Sequence, residues 1–151
     1  MAHEDIARQT VVEHGMLQHL LGALRMVIGW ESEGADFTRK LSTLRFVVQS
    51  LQRHLERLMA LEEYDGYMGI AVRLSPQLGK EVDALRQEHD EFRGAVHRIV
   101  HCLERVSATD GGTLGTVCDD LLALVQRLGE HSRKETDLLQ EAFEQDEGGE
   151  G

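Results

Sequence analysis

Apolar residues recur along this chain at alternating steps of three and four, the spacing of one face of an α-helix. Four stretches keep this rhythm for four turns or more. The first reads His14, Leu17, Leu21, Leu24, Ile28, and the second Leu41, Leu44, Val48, Leu51, Leu55, Leu58, Glu62. The third reads Val82, Leu85, His89, Phe92, Val96, Ile99, Leu103, Val106. The fourth is Leu114, Val117, Leu121, Leu124, Leu128, His131, Glu135, Leu138, Ala142.

These stretches predict helices over residues 6–28, 36–63, 76–106 and from a tight Asp110-Gly-Gly turn to Phe143. Asp36 is placed to cap the second helix, and Ser75 before Pro76 to open the third. Asp65-Gly66 breaks the second helix, and Met68 to Leu74 reads as one short helix or a loop. Long amphipathic helices with short connections predict an all-α fold, an up-down-up-down four-helix bundle over residues 1–144. Residues 145–151, acidic and rich in Gly, are expected to form a disordered tail.

Ionisable residues interrupt all four apolar stripes, and they do so near one depth. His131 and Glu135 are four apart and stand one above the other on the same helix face. His89 lies as many residues before Asp110 as His131 lies after it, so the two share a height in an antiparallel hairpin. The halves of the chain also resemble each other. Glu13-His14 aligns with Glu88-His89, and Leu58 to Glu62 with His131 to Glu135. One layer is therefore expected to hold His14, Leu58, His89 and His131, with Glu62 and Glu135 one turn along. Burying such groups unpaired costs several kcal/mol each, on the order of the penalty for an unsatisfied polar group. A metal cation suits both neutral imidazole and carboxylate; a hydrogen-bonded polar layer is the alternative. Glu13, Glu63 and Glu88 flank the stripe as outer partners, and His19, His97 and His101 lie off it.

Composition narrows the function classes. A net charge of −11 argues against nucleic acid and anionic membranes as partners. No apolar run is long enough to span a bilayer, and Met-Ala-His-Glu-Asp lacks the features of a signal peptide. A cytoplasmic location is expected, with Cys102 and Cys118 reduced, buried and poor candidates for metal ligation.

These residues carry a family resemblance. Glu13-His14, Glu62, Glu88-His89 and His131-x-x-x-Glu135, in this order, resemble the hemerythrin-like HHE cation-binding domains. Leu61 to Met68 is similar to a Glu-Glu-Glu-Gly-Gly-Tyr stretch found in many of them. The resemblance covers nearly the whole chain. It implies a non-haem di-iron centre held by His14, Glu62, His89, His131 and Glu135. Two positions depart from the family pattern: Leu58 and Arg93 stand where His would be. With five protein ligands, two irons keep places for water or small ligands. Reversible oxygen carriage is then not expected, and His54, one turn before Leu58, is expected to be at most an outer partner.

Three functions follow as alternatives. The first is a metal-binding protein that senses or handles iron, oxygen, peroxide or nitric oxide. The second is an iron-dependent oxidase- or peroxidase-like enzyme, and the third a metal-free interaction module with a decayed site. A His-phosphotransfer bundle needs an exposed His, and the candidate His here face the core.

Overall fold

A computed structural model describes residues 3–64, 66–107 and 110–149. It holds five α-helices: α1 (His3–Ile28), α2 (Ala35–Glu63), α3 (Tyr67–Leu74), α4 (Gly79–Arg105) and α5 (Gly111–Gly149). A single 3-10 turn, Pro76–Leu78, leads into α4. The long helices α1, α2, α4 and α5 pack in chain order around a square, and α5 closes it against α1. This is the four-helix bundle that the periodicity predicts. Short α3 lies across one end, between α2 and α5. Among the described residues no helix is long and apolar enough to cross a membrane.

The helix ends differ from the sequence reading in their chemistry. Gly34, not Asp36, precedes α2, and its φ of 59° is a conformation that glycine adopts without steric cost. Asp36 sits in the first turn and pairs with Arg39. Asp110 does not sit in a Gly-Gly turn but caps α5, accepting from the Thr113 backbone N–H at 3.2 Å and its hydroxyl at 2.6 Å. Gly111 and Gly112 are the first helical residues. The α5 backbone continues to Gly149, through most of the expected tail; Glu150 and Gly151 lie outside the described residues, as does Asp65.

Two basic residues of α2 close the far end of the bundle. Lys40 is buried, and its ammonium donates to the carbonyls of Ile28 and Trp30 and to Ser32 Oγ at 2.7, 2.9 and 3.1 Å. It neutralises the negative end of α1, whose last carbonyls have no partner within the helix. Arg45 does the same for α4 through the carbonyls of Leu103 and Val106. Lys40→Met is expected to lower stability by about 1–3 kcal/mol, because it orphans buried acceptors. Urea unfolding of the variant checks this, and a parent-like midpoint would count against it.

The apolar interior falls into two clusters. The larger fills most of the bundle, from Leu17 and Leu44 to Leu128. The smaller gathers Tyr67, Met68, Leu78, Val82, Leu85, Leu138 and Ala142 beneath α3. Along α4 the chain passes from Leu85 in one to Phe92 in the other, and along α5 from Leu128 to Leu138. His89, His131 and Glu135 occupy the gap. A polar layer thus divides the core near the α3 end.

Candidate metal centre

All five candidate residues converge on that layer. Ligand atoms of His89, His131 and Glu135 lie within 4.8 Å of one another, and so do those of His14, Glu62 and Glu135. Glu135 belongs to both groups. His131 Nε2 is 2.7 Å from Glu135 Oε1, and His14 Nε2 is 3.9 Å from Glu62 Oε2. The rings of His89 and His131 are 5.0 Å apart, and Phe92 closes one side with its edge against His131.

The outward nitrogens show which way the imidazoles work. His89 Nδ1 is 2.8 Å from Glu63 Oε1, and His131 Nδ1 is 2.9 Å from Glu88 Oε2. An ionised carboxylate only accepts, so each Nδ1 carries the proton and donates. Arg93 and Lys134 engage the same carboxylates, and hydrogen bonds from the imidazoles and these cations hold Glu63 and Glu88 below the usual range despite partial burial. Each Nε2 therefore presents a lone pair inward. Neither Nε2 has a hydrogen-bond partner among the described residues, nor does either oxygen of Glu62.

Acceptors without donors facing one another are unstable alone. Burial, the largest influence, pushes the His131 imidazole down to about 4 and the Glu62 carboxyl up to about 8. Burial likewise lowers His14 and His89. The donor set of neutral imidazole and carboxylate, aimed at common points, fits a first-row divalent metal.

One residue of the layer, inside the Leu61 to Met68 stretch, was not among the candidate site residues. Tyr67, 2% exposed, donates its hydroxyl to Glu135 Oε2, orienting the shared carboxylate. It lies close to Glu62 as well, and burial followed by that neighbouring carboxylate drives the phenol's ionisation far upward. Gly66 places it: a Cβ at Gly66 would stand 2.1 Å from the carbonyl of Leu61 and 2.7 Å from that of Glu62. The signal was the Gly66-Tyr67 pair two residues beyond Glu62-Glu63.

The outer residues are arranged differently from their sequence neighbours. Glu88 reaches across to His131 and not to adjacent His89, which Glu63 of α2 holds instead. Glu13 does not engage His14. It receives His54, whose Nε2 donates to the Glu13 carbonyl at 3.1 Å. His14 Nδ1 meets the Ser132 hydroxyl at 3.2 Å. His54 is in neither metal-capable group, and Leu58 is buried. Arg93, in the place of a family His, is an ion-pair partner of Glu56, Glu63 and Asp90. Cys118 is buried as expected, but Cys102 is exposed: it lies off the seam of α4. His19, His97 and His101 are exposed.

The hemerythrin HHE cation-binding domain model matches residues 5–143. The chain therefore belongs to the hemerythrin family of cation-binding helical bundles. No curated protein and no solved structure matches it.

The metal-free protein should be sensitive to alkali. Glu62 keeps its proton to about pH 8 when folded but releases it near 4.5 when unfolded. The folded state binds more protons in that window, so this contribution is full below 4.5 and lost as pH rises through 8. His131 acts with opposite sign: its contribution is full above 6.5 and lost as pH falls through about 4. The two slopes oppose each other between 4.5 and 6.5 and leave a net fall from pH 6.5 to 8. Melting curves of chelator-treated protein should show that fall, and Glu62→Gln should flatten it. A parent-like fall in Glu62→Gln would refute the assignment.

Proposed function

We propose that this chain holds two iron ions in its core, with Glu135 bridging them. His89 and His131 complete one position, and His14 and Glu62 the other. The observation that supports this is the sharing of Glu135 between two separate ligand groups. The iron supplies redox chemistry and Lewis acidity, and the protein supplies a buried, oriented ligand set. Tyr67 steadies the bridge, and Glu63 and Glu88 fix two of the three imidazoles in the tautomer that faces inward.

Five protein ligands leave room for water or a small molecule on each ion. We therefore read the function as sensing or handling of iron, oxygen, peroxide or nitric oxide in the cytoplasm, without reversible oxygen carriage. Peroxidase- or oxidase-like turnover is the second reading. It is favoured by a cavity of about 230 Å³ that reaches His14, Tyr67 and Glu135. That volume is below the range of drug-sized ligand pockets, roughly 300–1,000 Å³, and suits a reactant of a few atoms.

Metal analysis of freshly purified, iron-supplied protein, with its absorption spectrum, tests the proposal. Two irons per chain are expected, as is irreversible oxidation of the reduced protein in air. Absence of stoichiometric metal, with His131→Ala melting like the parent, would overturn it. A stable oxygenated spectrum that reverses on removing oxygen would overturn the exclusion of carriage. Sustained peroxide consumption would favour the enzymatic reading over simple binding.

A further inference from the structure

Away from the metal layer, the first helix carries a second stripe. Val12, Met16, His19, Ala23, Met26 and Trp30 follow one another at steps of four and three, on the side opposite the core stripe of α1. Val12, Met16 and Met26 are 56%, 45% and 69% exposed. Between Glu13 and Arg25 the helix has no Asp, Glu, Lys or Arg, although these make up 28% of the chain. A surface helix sets a polar face opposite its core stripe, and one that is apolar all round is buried. The outer face of α1 therefore calls for a cover.

The second helix widens this face. Phe46, Ser50, Arg53 and Arg57 keep the same rhythm on its outer side, and Phe46 is 69% exposed. A groove of about 830 Å³ runs between the helices, lined on α1 by Met16, His19 and Leu20 and on α2 by residues that include Ser50, Arg53 and Arg57.

The face has a centre. His54 at the Glu13 carbonyl and Lys40 at the Ile28 carbonyl fix the register of the antiparallel pair. Counting inward from either contact at equal rise sets Phe46 level with Leu21 and Gly22. Leu21 is also the midpoint of the α1 stripe: Met16 and Met26 lie five residues to either side of it, and Val12 and Trp30 nine. The two ends differ in charge. Arg53 and Arg57 are exposed at one, and Glu31 and Glu33 at the other, in the connection to α2. Nearby charges of opposite sign are turned to groups of their own chain. Glu13 lies by His54, Glu56 by Arg93, and Arg39 pairs with Asp36.

We infer that this face binds a second copy of the chain, with the two α1 helices antiparallel about a two-fold axis at Phe46. The two Phe46 rings then meet at the axis. Met16 lies against Met26 of the second copy and Val12 against its Trp30, while Arg53 and Arg57 come to its Glu31 and Glu33. One surface serves both copies, as a closed two-fold interface requires. A stripe spaced alike from either end, with opposite charge at its two ends, complements itself. Two helices each about 10 Å across, over about 27 Å of length, offer on the order of 500 Å² per copy. Stable interfaces bury roughly 800 Å² per partner, so the dimer is weak and depends on concentration.

Sedimentation equilibrium of the full chain as purified, from micromolar to millimolar concentration, tests this. The average mass should rise from that of one chain towards that of two, and no further. Phe46→Glu sets like charges against each other at the axis and should raise the dimer dissociation constant at least about tenfold. Its melting temperature at dilution should match the parent's, because the ring it replaces is exposed. Met26→Glu should also weaken the dimer, and it serves if Phe46→Glu fails to fold. Oxidised glutathione should join the chains of a Phe46→Cys, Cys102→Ser variant in pairs. A parent that stays monomeric to millimolar concentration, growth past two chains, a dimer indifferent to the folded Glu variants, or failure of that crosslink would overturn the inference. A monomeric parent that binds vesicles of anionic lipid would assign the face to a membrane instead and overturn it as well.

Discussion

Glu135→Ala is expected to abolish uptake of both metal ions, where His14→Ala costs one. Glu135 is the only residue present in both ligand groups, so its removal leaves each with two donors. Its effects on stability separate by metal state. In the metal-free protein Glu135 Oε1 faces His131 Nε2 at 2.7 Å, two acceptors once Nδ1 holds the imidazole proton. Deleting the carboxylate relieves that contact but strands the Tyr67 hydroxyl and leaves a small cavity, so the metal-free melting temperature should change little. The gain from metal should vanish. For a native-state ligand at a hundredfold excess over Kd that gain is about 2.7 kcal/mol per site. Thermal melts with and without iron, paired with metal analysis, measure both quantities. One retained equivalent in Glu135→Ala would show that the carboxylate does not bridge.

Leu58→His should exchange stability for affinity. Leu58 is 2% exposed and one turn before Glu62, on the face that turns toward the layer. Burial of such a side chain stabilises by roughly 1.5–3 kcal/mol. An imidazole in its place, without a partner, carries a desolvation penalty. The metal-free variant should therefore unfold more readily than the parent. With metal it should recover much of that loss and hold the ion by the His14 half more tightly, through an additional ligand. His54→Ala is the matching control. Its Nε2 is committed to the Glu13 carbonyl, so its loss should lower stability and spare metal stoichiometry. Weaker binding in Leu58→His combined with metal loss in His54→Ala would mean that His54 is the true ligand on α2.

Much of this protein is legible in one dimension. The three-four spacing specifies four amphipathic helices, because a helix must turn its apolar stripe inward whatever it packs against. Counting from Asp110 places His89 and His131 at one height, because helical rise per residue is constant. The pairing of Glu135 with His131 is local as well, four residues apart on one face. These relations depend only on periodicity within a helix or across one short connection.

Contacts between helices were decided by the tertiary structure. Glu88 neighbours His89 in the chain but points about 100° away from it around α4. It meets α5, so it serves His131, while Glu63 comes from α2 to serve His89. The burial of Lys40 depends on the end of α1 arriving beside it. Tyr67 reaches Glu135 only because α3 folds across the bundle end, on a glycine that packs against the backbone of α2. Sequence spacing determined the layer and its five inward residues. Helix rotation and side-chain reach, which spacing does not encode, decided which outer group holds each imidazole and which half of the centre opens to solvent.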